Sequence, residues 1–558
     1  MSQLDALEVL VIAANHNMRA HLRGMLDQFG IREVHTAGSA GTAINRLRSR
    51  RFDLILCEHD LGDDNQDGQH LLEDLRSRHI IPLDTLFIMI SSERSYERVV
   101  GAAELAPDDY ILKPLTPGTL QARVERAVAK REAFRAAYRL MENGQPIEAA
   151  AACERAELRH PQWRIDFMRL RGEIALEQGQ LDEADHLYAE VVEATGAPWA
   201  KLGRARVLIA AERYDEAEPI LEDLVEESEH YLDAYDLLAL CRELAGHAPR
   251  AAEALNDALR RSPRRLGRLR RFGKLATSIG ELERAEQALQ QVVQLGKRSE
   301  FRDPADHVAL ARVQILQNDA DNARATVADL EKSMGALPAA KACAALGKAM
   351  IARHARDGEA ARSAAQAAAR AALDSDDLPL ELKHDIVREC LAAGLDDEGG
   401  ALVGEILRKA PDETTIHQTR ALLDEHGRKD LSEQVEERLH AEVRGYVSAG
   451  AKLAQAGDYD GAVAEMLGAV RQMPGNPSVL FNAALALLRH IEHNGWSERM
   501  AGEARVLIAR SRKLDPSNPK LDAMTNFMAG LERKYGMQPH AAQAATDASK
   551  SKPGAPPA

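Results

Sequence analysis

Aromatic residues make up only 4% of this 558-residue chain. That shortage favours helix and argues against a large β protein. Cysteine is scarce too: Cys57, Cys153, Cys241, Cys343 and Cys390 lie far apart, and no two have the CxxC spacing. Free, buried thiols in a reducing cytoplasm are the plain expectation. No run of ~18 apolar residues exists to span a membrane, and no basic-then-apolar leader precedes the first periodic segment, so a soluble cytoplasmic protein is expected. The formal net charge is -15. Such a chain gains little from nucleic acid unless its positive charge is locally clustered.

The short motifs that carry reactions are missing as well. Gly267 to Gly273-Lys274 has one residue too many for a phosphate-binding loop and lacks the Ser or Thr that should follow. There is no HExxH, and His490-Ile-Glu-His493 alone reads as a wet helix face. No GxSxG nucleophile elbow occurs. The expectation is a protein that is not an enzyme.

What is present falls into two patterns. Near the N-terminus, Leu7-Glu-Val-Leu-Val-Ile12, Phe52-Asp-Leu-Ile-Leu-Cys57, Leu86-Phe-Ile-Met-Ile90 and Tyr110-Ile-Leu-Lys113-Pro114 are short apolar runs of the kind found in buried parallel strands. Met18 to Phe29 has helical spacing, and helical stretches separate the other runs. Strands alternating with helices imply a doubly wound, flavodoxin-like α/β sheet with its working crevice at the strands' carboxyl ends.

Taken together, Val-Leu-Val-Ile-Ala13-Ala14-Asn-His-Asn-Met-Arg19, Phe52-Asp-Leu-Ile-Leu-Cys-Glu58, Ser91 and Asp109-Tyr110-Ile-Leu-Lys113-Pro114 resemble the receiver domain of two-component response regulators, motif by motif and in order. The resemblance covers residues 1–127. It implies an acidic pair after the first strand and an acceptor aspartate after the third, which together hold Mg²⁺ through hard oxygen ligands. A hydroxyl and a lysine would contact the phosphoryl oxygens. This chain departs from that pattern. Ala13 and Ala14 replace the acidic pair, and Glu58 stands at the acceptor position, while Ser91 and Lys113 fit and Tyr110 takes the place of the switch aromatic. Mg²⁺ binding is therefore expected to be lost or weak, and no other cofactor is expected. Glu58, one methylene longer than aspartate, would reach toward Lys113. The pair would hold the pocket in a fixed, active-like state, or else the pocket has decayed and the domain is a rigid cap or a dimerisation unit. Asp60 lies past the strand end as a poor substitute acceptor, and Asp63, Asp64 and Asp67 read as a solvated loop.

The second pattern fills residues 128–536. Its clearest copy is Gly450 to Pro474, in which Gly450 allows close packing, Gly457 caps a first helix, Tyr459 starts a second with Ala462 and Ala469 on its inner face, and Pro474 stops it. These spacings resemble a tetratricopeptide repeat, whose period is about 34 residues. Gly172–Ala184, Ala205–Ala217, Ala239–Ala251, Gly273–Ala285 and Ala311–Ala323 repeat the twelve-residue offset of Gly450–Ala462. Between residues 338 and 442 the pattern blurs, and ten or eleven helix pairs are expected, with residues 521–536 as a closing helix. Residues 537–558 lack periodicity and read as a disordered tail. Leu120 to Tyr138 joins the two patterns as one stiff helical run.

The resemblance implies a superhelix whose concave groove holds peptides or proteins. Arg264-Arg265-Leu-Gly-Arg268-Leu-Arg270-Arg271-Phe-Gly-Lys274 is a basic run in which Arg270 and Lys274 take groove-facing offsets. They either grip an acidic peptide or pair with neighbouring carboxylates. Trp199 and Tyr235 are expected to fill space between helices, and Trp496 to staple a lengthened last hairpin. The functional expectation is a bacterial, non-catalytic signalling adaptor in a phosphorelay, binding partner proteins through its groove and engaging a histidine kinase or another regulator. The alternatives are a phosphorylation-gated regulator and a phosphatase or sequestering factor acting on another regulator.

Overall fold

Buried apolar runs set the first layer. In the computed structural model, which describes residues 4–62, 67–92, 107–297, 302–375, 377–410, 412–515 and 518–536, five strands form one parallel sheet in the order β2-β1-β3-β4-β5. They are β1 (Val9–Ile12), β2 (Val34–Ala37), β3 (Leu54–Glu58), β4 (Leu86–Ser91) and β5 (Asp109–Leu112). This is the flavodoxin-like doubly wound order. Every residue of β1, β3 and β4 is buried, because helices cover both faces of such a sheet. The helices α1 (His16–Gln28), α2 (Ala40–Ser49) and α3 (Gly68–Ser77) lie between the strands. The strand β2 has no counterpart among the apolar runs: it is an edge strand in which only Ala37 is buried. Asp63, Asp64, Pro411, Pro516 and the tail 537–558 lie outside the described residues.

The helix α4 (Pro117–Glu142) leaves the sheet and runs through residues 127 and 128 without a break. Thr116 caps it, accepting from Thr119 N, and Pro117 opens it with its φ already set. Its first half places Leu120, Val124, Ala127 and Val128 in the sheet's core, and its second half places Phe134 and Ala137 in the next core. There the Phe134 ring stacks on Phe167 with centroids 4.0 Å apart. One helix thus belongs to both cores, which makes the joint rigid.

The chain divides into two compact units, Met1–Asn318 and Asp319–Ala558. In the first, helical hairpins follow α4: Pro146–Arg159 pairs with α4, Arg164–Glu177 with Leu181–Thr195, Pro198–Ala210 with Tyr214–Glu227, Leu232–Leu244 with Ala248–Arg261, and Leu266–Ser278 with Leu282–Gly296. Pro304–Leu316 ends that unit. The second unit starts at Ala320–Met334 and runs through Pro338–His354 with Gly358–Leu373, Leu380–Ala392 with Asp396–Lys409, and Glu413–Glu425 with Lys429–Gln455. The long Lys429–Gln455 helix also pairs with Tyr459–Gln472, and Pro477–Asn494 with Glu498–Leu514 and the closing helix Lys520–Lys534 complete it.

Close approach within a hairpin needs a small residue on the first helix. A Cβ on Gly450 would stand 2.9 Å from Met466 Sδ, and one on Gly273 2.7 Å from Leu289 Cγ, so each partner side chain fills the notch a glycine leaves. The turn between the helices needs a left-handed residue, which Gly457 supplies at φ 83°. Equivalent left-handed residues stand at Gly144, Gly179, Glu212, Gly246, Gly280, Asn318, Arg356, Gly394 and Gly427. They are 33 to 35 residues apart from Gly144 to Gly280, then 38 apart from Gly280 to Gly394. The hairpins continue through residues 338–442, where the small-residue pattern fades.

Candidate functional site

In a parallel sheet all carboxyl ends lie along one edge, so β1, β3, β4 and β5 deliver their last residues to one crevice. Ala13 follows β1, fully buried, and Ala14 is exposed beside it. Glu58 ends β3 and is only 6% exposed. Ser91 ends β4 and is buried at 4% exposure. Lys113 follows β5, and its Nζ donates to Glu58 Oε1 at 2.5 Å. The extra methylene of glutamate therefore closes the gap to the lysine. Tyr110, in β5, packs into the core that holds Phe87 and Met89. The crevice thus brings Ala13, Ala14, Glu58, Ser91 and Lys113 together.

Two neighbours tighten this arrangement. The Arg19 guanidinium, on α1, donates to the carbonyls of Ala13 at 2.5 Å and Ala14 at 2.8 Å. It thereby sets a fixed positive charge at the end of β1. Gly68 opens α3 directly against the end of β3: its N–H donates to His59 O at 2.8 Å, and a Cβ there would fall 2.5 Å from Glu58 O. Beside Glu58, burial pushes the Cys57 thiol well above the usual thiol range. Asp60 is exposed and turned back on its own loop, with Oδ1 accepting from Gly62 N at 2.9 Å.

A divalent cation needs several hard oxygen ligands. Here the two alanines bring no side-chain oxygen, Glu58 Oε1 is held by Lys113, and Arg19 adds like charge. Among the described residues no three His, Cys, Asp or Glu side chains gather at a spacing that would hold a metal ion. The residues present do not fit Mg²⁺ at this crevice.

The basic run of the helical array is engaged by carboxylates of neighbouring helices. Arg268, its side chain fully buried, makes a two-pronged contact with Asp236 at 2.8 and 2.7 Å. Arg270 does the same with Asp306 at 2.7 and 2.8 Å. Burial raises the Asp306 carboxyl, and Arg270 opposes the rise. Arg271 reaches Asp236 O and Glu243. Arg270 is therefore a clamp between helices, and Lys274 is the exposed member of the groove-facing pair. Trp199 sits under Arg169, 5.1 Å from ring centre to guanidinium, and against Tyr188. Trp496 lies 6.0 Å from Tyr535, its indole donating to Glu498 at 3.0 Å. His490 pairs with Asp460 at 2.8 Å, and His493 stacks on Tyr459.

Arg19 belongs to the strand-one motif, but its spacing assigns it no role, since its action depends on how far the side chain folds back. Glu73 and Arg265, which meet at 2.5 Å, carry no local signal at all.

Two stretches of the chain match family models. Residues 9–125 match the model of the response regulator receiver domain. Residues 134–198 and 175–241 match two models, each described as tetratricopeptide repeat. Over 125 residues, 22% of this chain and 52% of the relative, the sequence is 30% identical to the KDP operon transcriptional regulatory protein KdpE of Escherichia coli (strain K12). Over 126 residues it is 29% identical to the transcriptional regulatory protein ZraR of Escherichia coli O157:H7, covering 27% of that protein. The chain thus spans from about a quarter to about half of the length of these relatives. The solved receiver domain of NtrX from Brucella abortus is 27% identical over 22% of this chain and 98% of its own, with a TM-score of 0.20. No helix among the described residues is long and apolar enough to cross a membrane.

Proposed function

Because the chain joins a response regulator receiver domain to tetratricopeptide repeats, we propose that it is a two-component signalling protein that acts by contact, with a receiver held in one state instead of being switched by phosphorylation. The observation that carries this reading is the 2.5 Å ion pair between Lys113 and Glu58. Phosphoryl transfer to a carboxylate needs a free acceptor oxygen and a cation to offset the incoming charge. At this crevice the acceptor position is tied to the lysine, and no side chain at residues 13 and 14 offers an oxygen. A single carboxylate also lacks the second charge and the third oxygen of a phosphoryl group. The pair therefore fixes the crevice without reproducing a phosphorylated one.

The output falls to the helical array, whose hairpins offer a surface for other proteins, among them a histidine kinase or a second regulator. No reaction is assigned to either part. Incubation of the full chain with acetyl phosphate and Mg²⁺, followed by intact-mass measurement, tests the reading. The wild-type protein should gain no acyl phosphate, and a variant carrying Ala13→Asp, Ala14→Asp and Glu58→Asp should gain one. A stable acyl phosphate on the wild-type chain would overturn it.

A further inference from the structure

Solenoid repeats touch their sequence neighbours and little else, so a contact that leaps across several hairpins stands out. The side chains of α3 divide into two sets. Leu71, Leu72 and Leu75 face the receiver's core. Gln69, Glu73 and Asp74 face away from it, yet Gln69 is only 8% exposed and the Glu73 side chain only 13% exposed. At Glu73 the array reaches the receiver. Arg265, at the N-cap of the helix Leu266–Ser278, meets Glu73 at 2.5 Å, and Gln69 Nε2 donates to Glu73 Oε1 at 3.2 Å.

We propose that Arg265, at the N-cap of helix Leu266–Ser278, is the array's docking point for the receiver's own α3. Its acidic residue Glu73 is the recognised group. The contact closes a ring. The receiver is tied to the first hairpin through α4, where Arg131 holds Asp53 and Glu142 accepts from Leu83 N. Four hairpins later, the chain returns to the receiver at Arg265. The curvature of those hairpins is then fixed by the receiver and not by repeat packing alone. While α3 sits there, Arg265 is closed to any other acidic helix. This docking goes beyond the fixed-receiver reading and does not depend on whether Glu58 accepts phosphate.

The test uses spin labels on the full chain. The native cysteines are all buried, which leaves introduced ones to react. Ser77 and Gly267 are exposed, and a Cβ at Gly267 meets open space, so Ser77→Cys and Gly267→Cys place one label on each side of the contact. Pulsed electron resonance should give a short, narrow distance distribution. Arg265→Glu should shift it longer and broaden it, and Glu73→Arg combined with Arg265→Glu should restore it, with circular dichroism checking that each variant folds. A broad distribution before any charge is reversed, a reversal that changes nothing, or a swap that fails to restore the peak would each overturn the proposal.

Discussion

Removing Lys113 should destabilise the receiver more than removing Glu58, although the two form one ion pair. The structure supplies the magnitude. Opposite unit charges about 4 Å apart attract by about 4 kcal/mol at an effective dielectric constant near 20. Burying the carboxylate costs several kcal/mol in return. The Lys113 side chain is 31% exposed, so water screens part of the attraction, and a net worth of about 1–2 kcal/mol remains. Lys113→Met keeps the aliphatic stem but strands the Glu58 carboxylate, whose side chain is 8% exposed, and should cost about 2–3 kcal/mol. Glu58→Met leaves a lysine that can turn to water and should cost about 1 kcal/mol or less. The double variant should fall within about 1 kcal/mol of wild type. A chain of two units does not unfold in one step, so the assay is native-state hydrogen exchange read at β3 and β5. Equal costs for the two single variants, or a double variant that costs their sum, would refute the buried-charge argument.

Two further outcomes follow from local geometry. Glu212 and Arg356 hold left-handed backbone at φ 59° and 58°, where most of the other hairpin turns have glycine. Glu212→Gly and Arg356→Gly should each stabilise the flanking helices by about 0.5–1 kcal/mol, while Gly457→Ala should cost about 1 kcal/mol. Slower exchange in the first two variants and faster exchange in the third is the expected readout, and a destabilised Glu212→Gly would count against strain at that turn. Burial, with Arg388 adding to it, holds the His384 imidazole below the usual histidine range, and its Nε2 lies 2.9 Å from Thr419 Oγ1. The folded form binds this proton less readily than the unfolded chain. Its stabilisation is therefore present above about pH 6.5 and is lost as pH falls from there through the lower folded value. Protection of helices Leu380–Ala392 and Glu413–Glu425 should drop on that path, and His384→Gln should flatten the drop. Parallel losses in both proteins would assign the effect elsewhere.

How much of the fold and the crevice is legible in the sequence depends on whether each signal is local. The strands β1, β3 and β4 are readable because burial on both faces leaves an uninterrupted apolar run. The edge strand β2 is not, because its sequence Val34-His-Thr-Ala37 hides one buried residue among half-exposed ones. The Glu58–Lys113 contact is readable from one added methylene at a position whose neighbours the motifs already fix. The role of Arg19 is not, since nothing in its spacing says that the guanidinium folds back onto two carbonyls. Turn positions are readable wherever glycine marks them. They fade where Asn318 and Arg356 take the left-handed place and the period lengthens to 38 residues.

Several of the array's ion pairs share a longer-range spacing that bears on the fate of the basic run. Lys130 pairs with Asp166, Arg268 with Asp236, Arg270 with Asp306, Arg353 with Glu389, Arg408 with Glu442 and Arg428 with Asp396. In each, the partners are 32 to 36 residues apart, close to one repeat. A residue one period along occupies a like place on the adjoining hairpin, so a cation and a carboxylate at that spacing meet whenever both lie on the shared flank. A cluster such as Arg268, Arg270 and Arg271 is then better read against the acids one repeat before and after it than against the solvent. Most of its charge holds neighbouring hairpins in register, which leaves less for a ligand than the bare run suggests. Arg265 differs from all of these pairs: its partner Glu73 lies in the receiver, far outside any repeat spacing. Register between hairpins does not require that contact, and this is the physical reason to regard it as docking and not as part of the repeat.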